Sequence, residues 1–244
     1  MKALRVRLYQ NMVNYRRELS YGYVQTYPLP TPSMVRGMCH SLLDLDRYCQ
    51  LKISIQGRSK GVVTNMQRVF KFLRSRDVKS SPYSVSVNGN KPVGVQHGLM
   101  YIDLHIDMEL MLHIVFDDEN LTVALEKAIW ENIVVLGRNE DFARVDEVRM
   151  VEVREKKKVK SDFPAYVMKS SCEKDMFGTA YRLPFAYDRV ENFSDKRIFS
   201  YTDVFYLDNP IFKSEPVLVD NENKPAFLLE PEREVIKYSE PHFL

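Results

Sequence analysis

Between Ala3 and Tyr9 apolar and polar positions alternate, with Leu4, Val6 and Leu8 on one parity and Arg5, Arg7 and Tyr9 on the other. A strand points successive side chains to opposite faces, so this spacing predicts a half-buried β-strand. Pro28, Pro30 and Pro32 then predict an extended approach to a helix. Met34, Met38 and Leu42 recur every four residues, with Val35, Cys39 and Leu43 beside them, which predicts a helix from about Ser33 to Leu45. Thr31 or Ser33 can cap it, and Pro32 suits the first helical position if Thr31 is the cap. Arg36, His40 and Asp44 occupy the opposite side, and Gln50 to Gln56 alternates as a second strand.

Residues 57–97 read differently. They hold Gly57, Gly61, Gly89, Gly94, two prolines and a basic series: Arg58, Lys60, Arg68, Lys71, Arg74, Arg76, Lys79 and Lys91, against Asp77 as the only acid. The centre, Met66 to Leu73, is too apolar for a simple linker, so this segment is expected to be an insertion that projects from the domain. Leu99 to Phe116 reads as a long strand whose phase shifts after Glu109, predicting a bend, bulge or turn there. Leu121 to Trp130 is helical by spacing, Ile133 to Leu136 is a short apolar strand ending at Gly137, and Val145 to Val153 alternates again. The order β-α-β, β-α-β predicts an α+β domain of ferredoxin-like (RRM-like) type over 1–155, with 57–97 inserted in its first half. Seven of the twelve prolines fall between Pro164 and Pro241 among aromatic-rich extended segments, so 156–244 is expected to form a small β-rich appendage.

The chain has 244 residues, of which 45% are apolar and 28% charged, enough for a sizeable core. Its net charge of +2 conceals a division. Residues 1–100 carry 16 Lys and Arg against four acids, and the remaining residues carry 19 against 29. Such asymmetry points to a polyanionic partner, because Lys and Arg that meet phosphate release condensed counterions. Met1 to Gln10 has no apolar core of a signal peptide, and no stretch approaches the ~18 apolar residues of a membrane span. Cys39, Cys49 and Cys172 form neither a C-x-x-C pair nor an even set, so free thiols and a cytoplasmic location are expected.

Three segments carry a resemblance. N-Y-R-R-E (Asn14 to Glu18), T-Y-P-L-P-T-P-S-M-V-R-G-M (Thr26 to Met38) and V-L-G-R-N-E-D (Val135 to Asp141) resemble motifs of the Cas-five family, part of the RAMP superfamily of CRISPR-associated proteins. The resemblance implies a ferredoxin-like RAMP domain with a protruding β-hairpin thumb. It also implies a subunit that caps the crRNA 5′ handle in a type I Cascade, beside the large subunit and the last backbone subunit, with target DNA reached in the assembled complex. The length and pattern look closest to subtype I-B.

Candidate RNA-binding residues follow from residue type and from the resemblance together. Asn14, Tyr15, Arg16 and Arg17 offer an amide for base edges, an aromatic face and two guanidinium forks; a solvated loop with one stacking Arg–Tyr pair is the other reading. Arg36 and Gly37 are expected in the first turn of the first helix, where free N–H groups attract an anion; close helix packing is the other reading of Gly37. Gly137 and Arg138 pair a glycine with a guanidinium at a strand end, though Gly137 alone reads as a turn residue. Arg68, Lys71, Arg74 and Arg76 would form the basic face of the thumb, with Val69, Phe70, Phe72 and Leu73 as wedge or packing residues. The Lys156 to Lys158 run reads as a solvated connection.

Some members of the family cut precursor crRNA without metal, using an adjacent Lys-His pair and a tyrosine. None of the five histidines here follows a lysine, and His40 is the one to test. No carboxylate cluster has metal-ligand spacing and no phosphate-loop motif occurs, so neither metal nor cofactor is expected. Three readings remain at this stage: a non-catalytic RNA-binding assembly subunit, a crRNA-processing endoribonuclease, and a basic RNA-binding domain of unrelated role.

Overall fold

The computed structural model describes residues 1–231 apart from 19, 21, 47, 73–77, 80, 87, 88, 90, 191 and 192; the side chains of 188–190 and 193–197 are also left undescribed. The first half runs β1 (Lys2–Val13), β2 (Tyr23–Val24), α1 (Pro32–Leu42), β3 (Leu51–Arg58), β4 (Gly61–Phe72), β5 (Tyr83–Val85), β6 (Val93–Phe116), α2 (Glu119–Glu131), β7 (Val134–Val135) and β8 (Phe142–Glu152). The remainder is β9 (Arg154–Lys156), β10 (Val159–Lys160), β11 (Ala165–Met168), β12 (Thr179–Val190), β13 (Phe193–Leu207), β14 (Ile211–Phe212) and β15 (Val217–Val219), with one short 3-10 turn at Lys169–Ser171. The protein is therefore a mostly β, α+β structure with two α-helices among the described residues.

The main sheet has the order β12-β13-β11-β3-β6-β1-β8-β7, with β2, β4 and β5 bonded to further stretches of β6. β1 lies between β6 and β8, antiparallel to both, because its alternation gives two usable edges and one apolar face. That face, Leu4, Val6 and Leu8 with Ile53, Ile55, Leu112 and Ile114, buries against Val35 and Cys39 of α1 and Leu125 and Ile129 of α2. Removing one such aliphatic side chain costs about 2–5 kcal/mol, so this layer dominates stability. Thr31 caps α1: its side chain accepts the Met34 N–H at 3.3 Å, and Pro32 opens the helix. Asp118 caps α2 through the Asn120 N–H at 2.9 Å.

The opposite face carries buried polar groups under the chain between Val217 and Leu229. Gln56 donates to the Pro225 carbonyl at 2.6 Å, and Ser54 accepts the Phe227 N–H at 3.0 Å. Arg5 holds three carboxylates: Asp220 at 2.5 Å, Glu147 at 2.5 Å and Glu222 at 2.8 Å. The segment after 155 is β-rich, and its strands β11, β12 and β13 continue the main sheet. β11 bonds to β3 through Ala165 opposite Gln56, and β13 and β12 continue the sheet outward.

β6 passes through Glu109 without a break. The irregularity falls at Asp107, which has φ 50°, where the strand exchanges β3 for β4 as its neighbour. Lys60 Nζ reaches Asp107 at 2.9 Å and the Tyr9 hydroxyl donates to the same carboxylate, which fixes the kink. Beyond it β4 and β6 leave the core as a long antiparallel hairpin, from Gly61 opposite Ile106 to Phe72 opposite Val95.

Candidate nucleic-acid interface

The loop after β1 and the turn after β7, read separately from the sequence, form one unit around Asp141. This carboxylate is 1% exposed; its Oδ2 accepts the backbone N–H of Asn14 at 3.1 Å and that of Arg138 at 2.8 Å. The Arg138 guanidinium closes on it too, with Nη2 2.6 Å from Oδ1, and its Nη1 lies 2.9 Å from Glu140. The neighbouring charges raise the Arg138 pKa, the hydrogen bond to Asp141 contributing most. Gly137 has φ +117°, and a Cβ there would lie 2.7 Å from Asp141 Oδ2 and 3.0 Å from the Asn14 carbonyl oxygen. Gln10 completes the unit by donating to the Leu136 carbonyl at 2.7 Å.

This geometry corrects part of the sequence reading. Arg138 has its charge matched by two carboxylates, so it does not present a free guanidinium. Asn14 is buried, and its Nδ2 donates to the Asp103 carbonyl at 2.7 Å, so the amide faces no open groove. Tyr15 is buried as well, its hydroxyl donating to Gln10 Oε1 at 2.7 Å and its ring 5.8 Å from that of His105. Burial pushes its phenol well above the ordinary pKa, and neither ring face is open to a base. Arg36 is the fifth residue of α1, outside the first turn, and is 2% exposed. Its guanidinium stacks over Tyr48 at 5.1 Å and over Tyr187 of β12 at 4.7 Å, so it joins the helix to the sheet edge.

Arg68 and Lys71 of the hairpin face solvent. Arg16 and Arg17 are exposed; Arg16 donates to the Ser20 carbonyl at 3.0 Å and Arg17 lies over the Tyr27 ring at 5.4 Å. Their loop returns along the base of the hairpin, where β2 pairs in parallel with β6 and the Tyr23 hydroxyl donates to Asp103 at 2.8 Å. Gly37 is exposed, with nothing within 4 Å of where a Cβ would sit, so close helix packing does not explain it.

On the hairpin, cross-strand register decides which residues share a face. Met66, Arg68, Phe70 and Phe72 of β4 lie opposite Tyr101, Leu99, His97 and Val95 of β6. Most of that face is open: Met66, Phe70, Phe72, Leu99 and Tyr101 are all exposed large side chains, as is Tyr83 of β5. Phe70, Tyr83 and His97 cluster, with ring centroids 4.7 Å apart for Phe70–His97 and 4.3 Å for Tyr83–His97. Lys71 belongs to the other face, where its side chain crosses Gly98. Arg74 and Arg76 lie outside the described residues.

Sequence reasoning missed Tyr83 and His97 in this cluster, and missed Gln10 and Asp141 as the groups that organise the loops. Among the described residues no group of His, Cys, Asp and Glu is arranged to hold a metal ion. Nor is any helix among them long and apolar enough to cross a membrane.

A mostly β protein, with two helices among the described residues and an open, basic and aromatic hairpin, is the class that these observations define. The family model described as CRISPR-associated protein (Cas_Cas5) matches residues 3–204, and the chain belongs to that family. A search of curated proteins finds no match. Among solved structures, a chain of a CRISPR RNA-guided surveillance complex shares the fold: TM-score 0.57, 14% identity, with 95% of each chain covered. Two weaker likenesses are to a CRISPR protein from Archaeoglobus fulgidus (TM-score 0.40, 16% identity, 89% of this chain and 91% of that one) and to a chain of the Type III-B Cmr-beta complex bound to cognate target RNA (TM-score 0.42, 14% identity, 87% and 86%).

Proposed function

We propose that this chain is a non-catalytic RNA-binding subunit of a type I CRISPR complex, and that it caps the 5′ handle of the guide RNA. The observation that carries the reading is the β4–β6 hairpin: a long projection whose exposed face pairs Arg68 with Met66, Phe70, Phe72, Leu99 and Tyr101. An isolated soluble protein gains nothing by exposing such a face, whereas RNA offers phosphates to the cation and bases to the rings. The order β3-β6-β1-β8 around two helices supports a ferredoxin-like RAMP domain, and the hairpin then takes the position of its thumb. The +12 balance of residues 1–100 supports a polyanionic partner on this side of the chain.

In this reading Arg16, Arg17, Arg68 and Lys71 contact RNA phosphates, while Asn14, Gly137 and Arg138 hold the shape of the loop that presents Arg16 and Arg17. The partners are the guide RNA, the backbone and large subunits, and target DNA within the assembled complex. Fluorescence anisotropy with labelled 5′-handle RNA and a scrambled RNA of equal length tests it. The account requires tighter binding of the handle; equal affinity for both would reduce the chain to a non-specific RNA binder.

A further inference from the structure

The outward face of α2 differs in character from the basic hairpin. The helix buries Thr122, Leu125 and Ile129, and turns the opposite side to solvent. Val123 and Trp130, two helical turns apart and therefore on one line, are 57% and 58% exposed, and Ile133 just past the helix end is 75% exposed. Trp130 is the only tryptophan of the chain. An exposed Trp beside two exposed aliphatic residues leaves apolar surface in water at a cost of about 25 cal/mol per Å², and interface hot spots are enriched in this residue.

The charge around this stripe decides what covers it. Residues 117–133 hold Asp117, Asp118, Glu119, Glu126 and Glu131 against Lys127, and Lys2 of β1 pairs with Glu119 at 3.5 Å, which leaves the acids in excess. Lys127 is itself paired with Glu131 at 3.6 Å. A nucleic acid would bring phosphates toward this acidic rim and be repelled, so the rings and bases that suit the hairpin do not suit α2. A protein surface with an apolar socket ringed by Lys or Arg meets both features at once: the socket takes Trp130 and Ile133, and the ring meets the acids.

We propose that Val123, Trp130 and Ile133 form a docking surface for a basic protein subunit of the same CRISPR complex, separate from the RNA-binding face. The proposal rests on the reading that the chain assembles with other CRISPR proteins, but not on where RNA binds. Because Trp130 is unique, 5-fluorotryptophan incorporated into this chain alone gives a single ¹⁹F resonance. Adding the unlabelled protein subunits of the complex should shift that resonance and abolish its H2O/D2O solvent isotope effect, while guide RNA alone should leave it unmoved. Trp130→Glu and Ile133→Asp, at exposed positions, should lower incorporation into the complex at least tenfold and leave affinity for handle RNA within twofold. A resonance that moves with RNA alone, or stays solvent-accessible in the assembled complex, would overturn the proposal, as would full assembly by both variants. Failure of the wild-type chain to bind handle RNA would instead strike the proposed function and leave the ¹⁹F result to stand on its own.

Discussion

Asn14 and Arg138, far apart in the sequence, donate their backbone N–H groups to the same oxygen, Asp141 Oδ2, at 3.1 Å and 2.8 Å. The contact makes the two loops one object, and it works only because Gly137 has no side chain between them. Gly137→Ala would meet Asp141 Oδ2 at 2.7 Å and force an L-residue to φ +117°. The expected loss is about 1–3 kcal/mol, read as a lower urea midpoint with unchanged slope. Handle-RNA affinity should fall with it, since Arg16 and Arg17 extend from the same loop. Wild-type stability and affinity in this variant would show that the loops can separate at no cost.

The cluster under the Val217–Leu229 segment predicts an acid limit. Burial works to raise the Asp220 pKa, but His113, the Lys224 N–H, Arg5 and the Glu222 N–H outweigh it and hold the carboxyl well below its usual range. A carboxylate depressed in the folded state contributes stability that is present above its unfolded pKa of about 3.9 and is lost as pH falls toward the folded value. The Tm of the wild type should therefore hold down to about pH 4 and drop steeply below it, more steeply than in Asp220→Asn. Arg5→Met, which leaves Asp220 buried without its cation, should cost about 3–5 kcal/mol at neutral pH. Equal acid slopes in wild type and Asp220→Asn would contradict this assignment.

The hairpin register indicates where it can be cut. Met66 lies opposite Tyr101, so joining these two through a short Gly-Ser turn in place of residues 67–100 keeps the paired base from Gly61 and Ile106 outward. The core should stay folded, because the residues removed lie beyond the layer formed by β1, β3, β6 and the helices. RNA affinity and incorporation into the complex should both fall, by at least tenfold. Unchanged assembly and target binding would make the hairpin a passive loop.

The elements of the core were legible because each has a local signal. The 2-residue alternation marked β1 and β3, the 4-residue stripe marked α1, and Thr31-Pro32 marked its start. What failed to show is non-local. Nothing near Ala165 announces that it pairs with Gln56, so the C-terminal strands read as an appendage. The alternation marks β6 only from Leu99 rather than from Val93, because Gly94, Gln96, His97 and Gly98 break the apolar pattern there. The site was legible in residue type but not in burial. A sequence shows that Arg36 is a cation, not that Tyr48 and Tyr187 enclose it; it shows Asn14 and Tyr15 beside two arginines, not which of the four reach solvent.

Catalysis has its own test. His40 is half-buried beside Arg36, and burial followed by the Arg36 charge lowers its pKa. Purified, folded chain incubated with cognate repeat RNA and EDTA should leave the RNA intact. Cleavage at a single position, abolished by His40→Ala, would make the protein a processing endoribonuclease.

The central claim, that the basic part of this chain holds RNA through its phosphates, is tested most directly by salt. With ~4–6 phosphates neutralised on single-stranded handle RNA, log K against log salt should slope about −3 to −4. Arg68→Ala should reduce the steepness by about 0.7 and leave Tm unchanged, as an exposed single contact requires. A nearly flat slope for the wild-type protein would contradict the account.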